Sequence, residues 1–109
     1  MQDFYFGFRH RSGPQVIVSR GGNRLAFLPS RFDAFRFSPE FDWSGGMTPG
    51  AKQLAAALLL DCGFTQEQTA AVALLFSAST IGRLPFHGWT LSESEIISAA
   101  AQAAGAAQR

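Results

Sequence analysis

An uninterrupted apolar run, Leu54–Leu60, constrains the fold of this chain more than any other feature. In a helix with about 3.6 residues per turn, such a run places apolar side chains on nearly every face. The run is far shorter than the roughly 20 residues that a membrane-spanning helix needs, so we expect no membrane partner. It therefore predicts a central, buried helix that the rest of the chain must cover.

Local signals mark both ends of this first helix. Thr48 followed by Pro49 is typical of an N-cap residue and a first helical position. Gly63 suits the position after a helix C-cap, because glycine adopts positive φ without a steric penalty. Together the signals predict that helix one runs from Pro49 to Cys62.

Two capping boxes predict two further helices. Thr65–Gln68 has the required spacing of a hydroxyl residue and a glutamine, and the helix that follows should run to about Ser77. Ser92–Glu95 repeats the pattern. The third helix should end near Gly105 and leave residues Ala106–Arg109 frayed.

The first part of the chain has the pattern of a β-strand. Phe4, Phe6 and Phe8 recur at every second position, which predicts a strand with one apolar face. We expect these phenylalanines to face the core. Tyr5 and Arg9 would then lie on the outer face of the sheet.

Two more strands are predicted as a hairpin. Gln15–Ser19 and Arg24–Leu28 are separated by the Gly21–Asn23 break, whose residues tolerate positive φ. The predicted fold class is α+β, an antiparallel meander of about three strands packed against three helices. Trp43 and Trp89 should lie on either side of helix one.

The 109 residues are predicted to form one domain, with strands in residues 1–30, a loop in 31–47 and helices in 48–105. A chain of this length buries roughly two-thirds of the surface that it exposes when unfolded, so its core needs no disulfide bond or metal ion for stability.

Cys62 is the single cysteine and cannot form an intrachain disulfide. The residues from Met1 to Arg11 lack the pattern of a secretory signal, and we expect a cytoplasmic protein.

Several phrases of the sequence match a family pattern. Phe41–Gly46 and Gly50–Asp61 carry the main phrase, while Gly7, Arg9 and Trp89–Leu91 stand where outer elements of the pattern would be. On these residues the chain resembles a small family of bacterial, plasmid and phage proteins, a domain of unknown function. Its signature has the form Phe-x-Trp-Gly-Tyr-x-Gly-x-Gly-Pro-x-x-Leu-Ala.

The sequence departs from that signature at two places. Ser44 replaces a glycine and no tyrosine follows it, and Pro49–Gly50 reverses the Gly-Pro order. The resemblance implies that the chain shares the architecture of this family and is encoded on a mobile genetic element such as a plasmid or phage. It implies no mechanism. In such a setting, one concrete function is a phage-derived inhibitor of a host defence complex.

The arginines are concentrated near the start of the chain. In residues 1–38, six arginines against two aspartates give a charge of +4, whereas residues 39–109 carry −3. Interleaved with aromatic residues, they could form a sheet face that stacks bases and contacts phosphates, with Tyr5, Arg9 and Arg24 as contacts. The isoelectric point near 8.0 is low for a nucleic-acid-binding protein, so nucleic-acid binding is kept as the alternative function.

Lys52 lies near the start of helix one and is a candidate for weak anion binding, because free backbone amides at a helix N-terminus attract anions.

The loop before helix one holds more aromatic residues than a solvated loop requires. Phe32, Phe35, Phe37 and Phe41 all lie in or next to it. If exposed, they would combine with the outer face of the sheet at Tyr5 and Arg9 into a surface for a protein partner or for a second copy. We take Phe35 and Phe37 as candidate binding residues of this loop. The function predicted first is therefore a non-enzymatic protein-interaction module.

Catalysis has little support in the sequence. Cys62 is predicted toward the C-terminus of a helix, where the helix dipole opposes a thiolate. His10 and His87 have no carboxylates at metal-ligand spacing. We expect no enzyme activity, no catalytic residue, no metal and no cofactor.

Overall fold

A computed structural model of the protein describes residues 2–21 and 23–107. The described residues form an antiparallel sheet, three α-helices and one short 3-10 helix, so the predicted α+β class is confirmed. The elements in chain order are β1 Phe4–His10, β2 Gly13–Arg20, β3 Arg24–Phe27, α1 Pro49–Asp61, α2 Gln66–Ser79, the 3-10 helix Ile81–Arg83, β4 Gly88–Ser92 and α3 Glu93–Ala107.

The sheet has four strands rather than about three, in the order β3-β2-β1-β4. All three pairings are antiparallel. The additional strand, β4, lies between the second helix, which was predicted to end near Ser77, and the third helix, which follows from the capping box Ser92–Glu95. It pairs with β1 so that Trp89 lies opposite Gly7. β4 is therefore the edge strand on the side of the sheet opposite β3.

The capping signals locate the helices correctly. The Thr48 hydroxyl accepts a hydrogen bond from the Ala51 amide at 3.1 Å, and both hydrogen bonds of the Thr65–Gln68 box are present. The Ser92–Glu95 box is also formed, at 2.9 and 3.1 Å. Gly63 follows the C-cap with φ of +96°, as predicted.

The end of the third helix differs from the prediction. Helix α3 continues through Ala107, so Ala106 and Ala107 are helical rather than frayed. Gln108 and Arg109 lie outside the described residues, as does Gly22 of the predicted hairpin break. Among the described helices, none has the length and apolar character required to cross a bilayer.

Helix α1 occupies the centre of the core, as the apolar run predicts. Leu54, Leu58 and Leu59 are fully buried, together with the alanines between them. Trp43 is buried in the same core and contacts Trp89 edge to face, with ring centroids 5.5 Å apart. The two tryptophans therefore contact each other instead of lying on either side of the helix.

The prediction that the phenylalanines of β1 face the core is wrong. Tyr5 is fully buried, whereas Phe4 and Phe6 lie on the opposite, exposed face of the sheet. The close approach of Gly7 to the neighbouring strand favours this orientation, because any Cβ at Gly7 would overlap the Trp89 indole ring. A residue without a side chain must face the tryptophan, so its neighbours in the strand face outward.

Candidate functional site

One face of the sheet is not covered by the helices. Side chains alternate along a strand, so the inward position of Tyr5 directs Phe4, Phe6 and Phe8 outward. Val16 and Val18 are buried, so the residues between and beside them in β2, such as Ile17, also face outward. We call the uncovered surface the outer sheet face; its apolar residues are Phe4, Phe6, Phe8, Ile17, Leu25 and Phe27.

These apolar side chains are neighbours across three strands. Phe27 lies opposite Ile17, and Ile17 lies opposite Phe6, which gives one continuous apolar row. The next row begins with Leu25 and ends with Phe4. Residues directly opposite each other have side chains in contact range on the same face, so the rows form a single patch.

The patch is accessible to solvent. Leu25 and Phe27 are 71% and 67% exposed, and Phe4 and Phe6 are 39% and 37% exposed. With about 200 Å² for a whole side chain of this kind, these four present on the order of 400 Å². Apolar patches of several hundred Å² on a monomer commonly mark interaction sites.

The predicted binding residue Tyr5 is not on this surface. Its hydroxyl donates a hydrogen bond to Asp61 Oδ2 at 2.6 Å and lies 3.5 Å from Cys62 Sγ. Burial and the hydrogen bond to Asp61 raise the pKa of Tyr5 far above its ordinary value. Its place is therefore at the junction of β1 with the C-terminal end of α1, out of reach of a partner.

Arg20 completes this junction from β2. Its guanidinium donates two hydrogen bonds to Asp61, at 2.7 and 3.0 Å, and one to Asp3 at 3.2 Å. The hydrogen bonds to Asp61 raise the pKa of Arg20. A side chain engaged by two carboxylates has little capacity left for a phosphate.

Arg9 also faces the helical side of the sheet. Its Nε donates a hydrogen bond to the Phe86 carbonyl at 2.7 Å, and the guanidinium stacks on the Phe86 ring at 3.6 Å. It lies 5.0 Å from the centre of the Trp43 ring and 3.5 Å from Asp42 Oδ1. Trp43 donates to the same Phe86 carbonyl, so Arg9 connects β1 to two loops. The expected outward position of Arg9 is wrong.

The other basic candidates lie at separate places. Arg24 is exposed at the start of β3, and Lys52 is half-buried in the first turn of α1. The Lys52 amide bonds to Thr48, the N-cap residue. The structure therefore does not bring Arg9, Arg24 and Lys52 together into one basic surface.

Phe35 and Phe37 form a second, smaller aromatic surface in the loop. Their rings stack with centroids 5.9 Å apart and an angle of 11° between planes. Phe37 is partly exposed beside an open pocket of about 340 Å³, which Phe32 and Arg36 also line. The predicted aromatic loop is thus ordered, with part of its aromatic surface accessible.

Gln53 in α1 holds this loop in place, although it was not among the residues predicted to be important. Its fully buried side-chain oxygen accepts the Phe37 and Ser38 amides at 2.7 and 3.2 Å. Its side-chain nitrogen donates to the Ser30 and Phe35 carbonyls at 2.6 and 2.9 Å. The one available signal is a polar residue directly before the apolar run, which by itself does not indicate burial.

The thiol of Cys62 lies in a setting that opposes ionisation. Burial raises the pKa of the thiol to about 11. We expect iodoacetamide to alkylate Cys62 at pH 8 about 100-fold more slowly in the folded protein than in the urea-unfolded chain, because the thiolate is the reactive form. Mass spectrometry over a time course measures both rates, and equal rates would contradict this setting.

Metal ligands are not clustered in the described part of the chain. No group of three or more histidine, cysteine, aspartate or glutamate residues within residues 2–21 and 23–107 could hold a metal ion. His87 instead contacts the Phe86 ring edge to face at 5.3 Å.

Comparisons with known proteins match the chain to one family model. Residues 5–102 match DUF6166, a family of unknown function. Neither the curated proteins nor the solved structures include a match. The matched region begins at the second residue of β1 and ends within α3, so it includes β2, β3, β4 and the central helix. The expected membership of a domain of unknown function is confirmed, and the chain belongs to the DUF6166 family.

Proposed function

We propose that this protein is a non-enzymatic protein-interaction module that binds its partner through the outer sheet face. The observation that carries the proposal is the continuous apolar row Phe27–Ile17–Phe6, with its outermost residue 67% exposed. Burying such a row removes apolar surface from water, which is the main source of stability in protein association. An inhibitor of a host defence complex would be one form of this function, with a host protein as the partner.

Nucleic-acid binding is the second candidate, because exposed phenylalanines on an antiparallel sheet can stack on bases. Phosphate binding would then fall to arginines near the face. Arg9 and Arg20 are engaged on the helical side, which leaves exposed Arg11 and Arg24 at the margins. This charge distribution favours a protein partner over a polyanion.

A tagged pull-down from nuclease-treated lysate, read by mass spectrometry, separates the two candidates. We expect a stoichiometric protein that stays bound at high salt, because apolar contacts are not screened by ions. Phe27→Asp should reduce its capture at least about 10-fold, since it places a charge in an apolar interface. Arg24→Ala should leave capture within about two-fold of wild type.

Leu74→Asp is the matched control for Phe27→Asp. Leu74 is 53% exposed on α2, away from the sheet, so its change to aspartate adds the same charge elsewhere. Capture lost equally in both variants would contradict the assignment to the outer sheet face. Loss of all protein after nuclease or at high salt, together with sensitivity to Arg24→Ala, would establish nucleic-acid binding instead.

A further inference from the structure

We propose that the partner of the outer sheet face is a second copy of this chain, so that two sheets pack face to face in a two-fold dimer. This inference rests on the proposed function, since it names the occupant of the same surface. In such a dimer the same patch lies on both sides of the interface and must match itself. The outer sheet face meets that requirement in charge and in arrangement, and its apolar residues supply much of the area.

The charge distribution favours a copy over a chemically different partner. Among the described strand residues that face outward, none is Asp, Glu, Lys or Arg, and His10 lies at the end of β1. Two copies can therefore approach without placing like charges together. The face offers no charge pattern for recognising a different protein, and interfaces between identical subunits are the more apolar class.

The apolar side chains are arranged symmetrically about β2. Phe27 and Phe6 lie on either side of Ile17, and Leu25 and Phe4 lie on either side of Ser19. A two-fold axis along β2 exchanges the β1 side of one sheet with the β3 side of the other. Phe27 of each copy then lies over Phe6 of the partner subunit, and Leu25 lies over Phe4, so apolar groups meet apolar groups.

The exposed apolar side chains supply about half of the area that a standard interface buries on each partner. The four most exposed apolar side chains present on the order of 400 Å², against roughly 800 Å² per partner in a standard interface. Partly exposed outward residues of the same strands supply further area, among them Phe8, Gln15 and Ile17. The polar residues lie at the margins of the patch and in its second row, where they can keep contact with water or with each other.

Sedimentation equilibrium of the full chain tests the proposal. We expect a mass of twice 11.8 kDa at micromolar concentration, unchanged by high salt. Leu25→Glu should raise the dissociation constant at least about 100-fold, because it buries an unpaired charge. Leu74→Glu, on the exposed face of α2, should leave the dimer intact. Circular dichroism checks the fold of each variant.

A charge-pair experiment tests the two-fold axis along β2. Phe6→Lys and Phe27→Glu chains should each be monomeric alone, and an equimolar mixture should regain the dimer mass. The mixed dimer contains one opposite-charge pair and one unchanged Phe27–Phe6 contact, whereas each variant alone repeats a charge against a phenylalanine. A mixture that stays monomeric overturns this arrangement.

The outcomes also separate this inference from the proposed function. A wild-type chain that is monomeric up to about 1 mM overturns the second copy as partner, and so does a dimer that Leu74→Glu dissociates but Leu25→Glu does not. If such a monomer still captures a protein in a manner that depends on Phe27, the interaction module remains and its partner is a different protein. If it captures none, both proposals fail.

Discussion

Replacing Gly7 with alanine is expected to destabilise the protein by about 3 kcal/mol. Gly7 lies in β1 directly opposite Trp89 in β4, and an added Cβ would overlap the indole ring. Trp89 is buried and contacts Trp43, so it cannot move without disturbing the core around α1. Urea unfolding followed by tryptophan fluorescence measures the loss, and an unchanged midpoint would show that the ring moves freely.

Two comparisons isolate the overlap from the general effect of changing a glycine. Gly105 in α3 has nothing within 4 Å of an added Cβ, and Gly105→Ala should stabilise the helix by about 0.5–1 kcal/mol. In a Trp89→Leu background, Gly7→Ala should lower the free energy of unfolding by less than it does in the wild type, because the smaller leucine leaves room for the added Cβ. Equal costs in the two backgrounds would assign the effect to backbone conformation instead.

The starts of the helices could be predicted from the sequence because they are fixed locally. Each capping box satisfies amides within one turn of the same segment, so its residues specify the start of the helix without tertiary information. β4 lacks such a signal. Trp89–Leu91 becomes a strand through its pairing with β1, more than 80 residues earlier in the chain. Local patterns do not specify a strand that depends on so distant a partner.

The sequence predicted the strand that carries much of the candidate site, but not the orientation of that strand or the residues of the site. Alternation identified β1, yet it fits two opposite orientations, and hydrophobicity alone favours phenylalanines inward. Long-range contacts decide between the two: Tyr5 binds Asp61, Gly7 admits Trp89, and Arg9 stacks on Phe86. This orientation of β1 places its phenylalanines on the outer sheet face and Arg9 on the helical side.

Replacing Gln53 with leucine is expected to destabilise the protein by at least about 3 kcal/mol. The apolar side chain would fit the buried position but leave the amides of Phe37 and Ser38 and the carbonyls of Ser30 and Phe35 without their partners. Leaving these polar groups unpaired and away from water destabilises the fold by more than the burial of the leucine side chain stabilises it. Urea unfolding measures the change, and trypsin should cleave the loop at Arg36 faster than in the wild type.

Gln66→Leu is the matched control, since it makes the same chemical change at an exposed position. The Gln66 side chain donates one long hydrogen bond, 3.4 Å, to the Ala34 carbonyl of the same loop. Its replacement should cost under about 0.5 kcal/mol. Similar costs at both positions would mean that the loop does not depend on the buried amide. A large loss of stability confined to Gln53→Leu, with partner capture in the pull-down unchanged, would give a different result. It would show that α1 orders the aromatic loop independently of the outer sheet face.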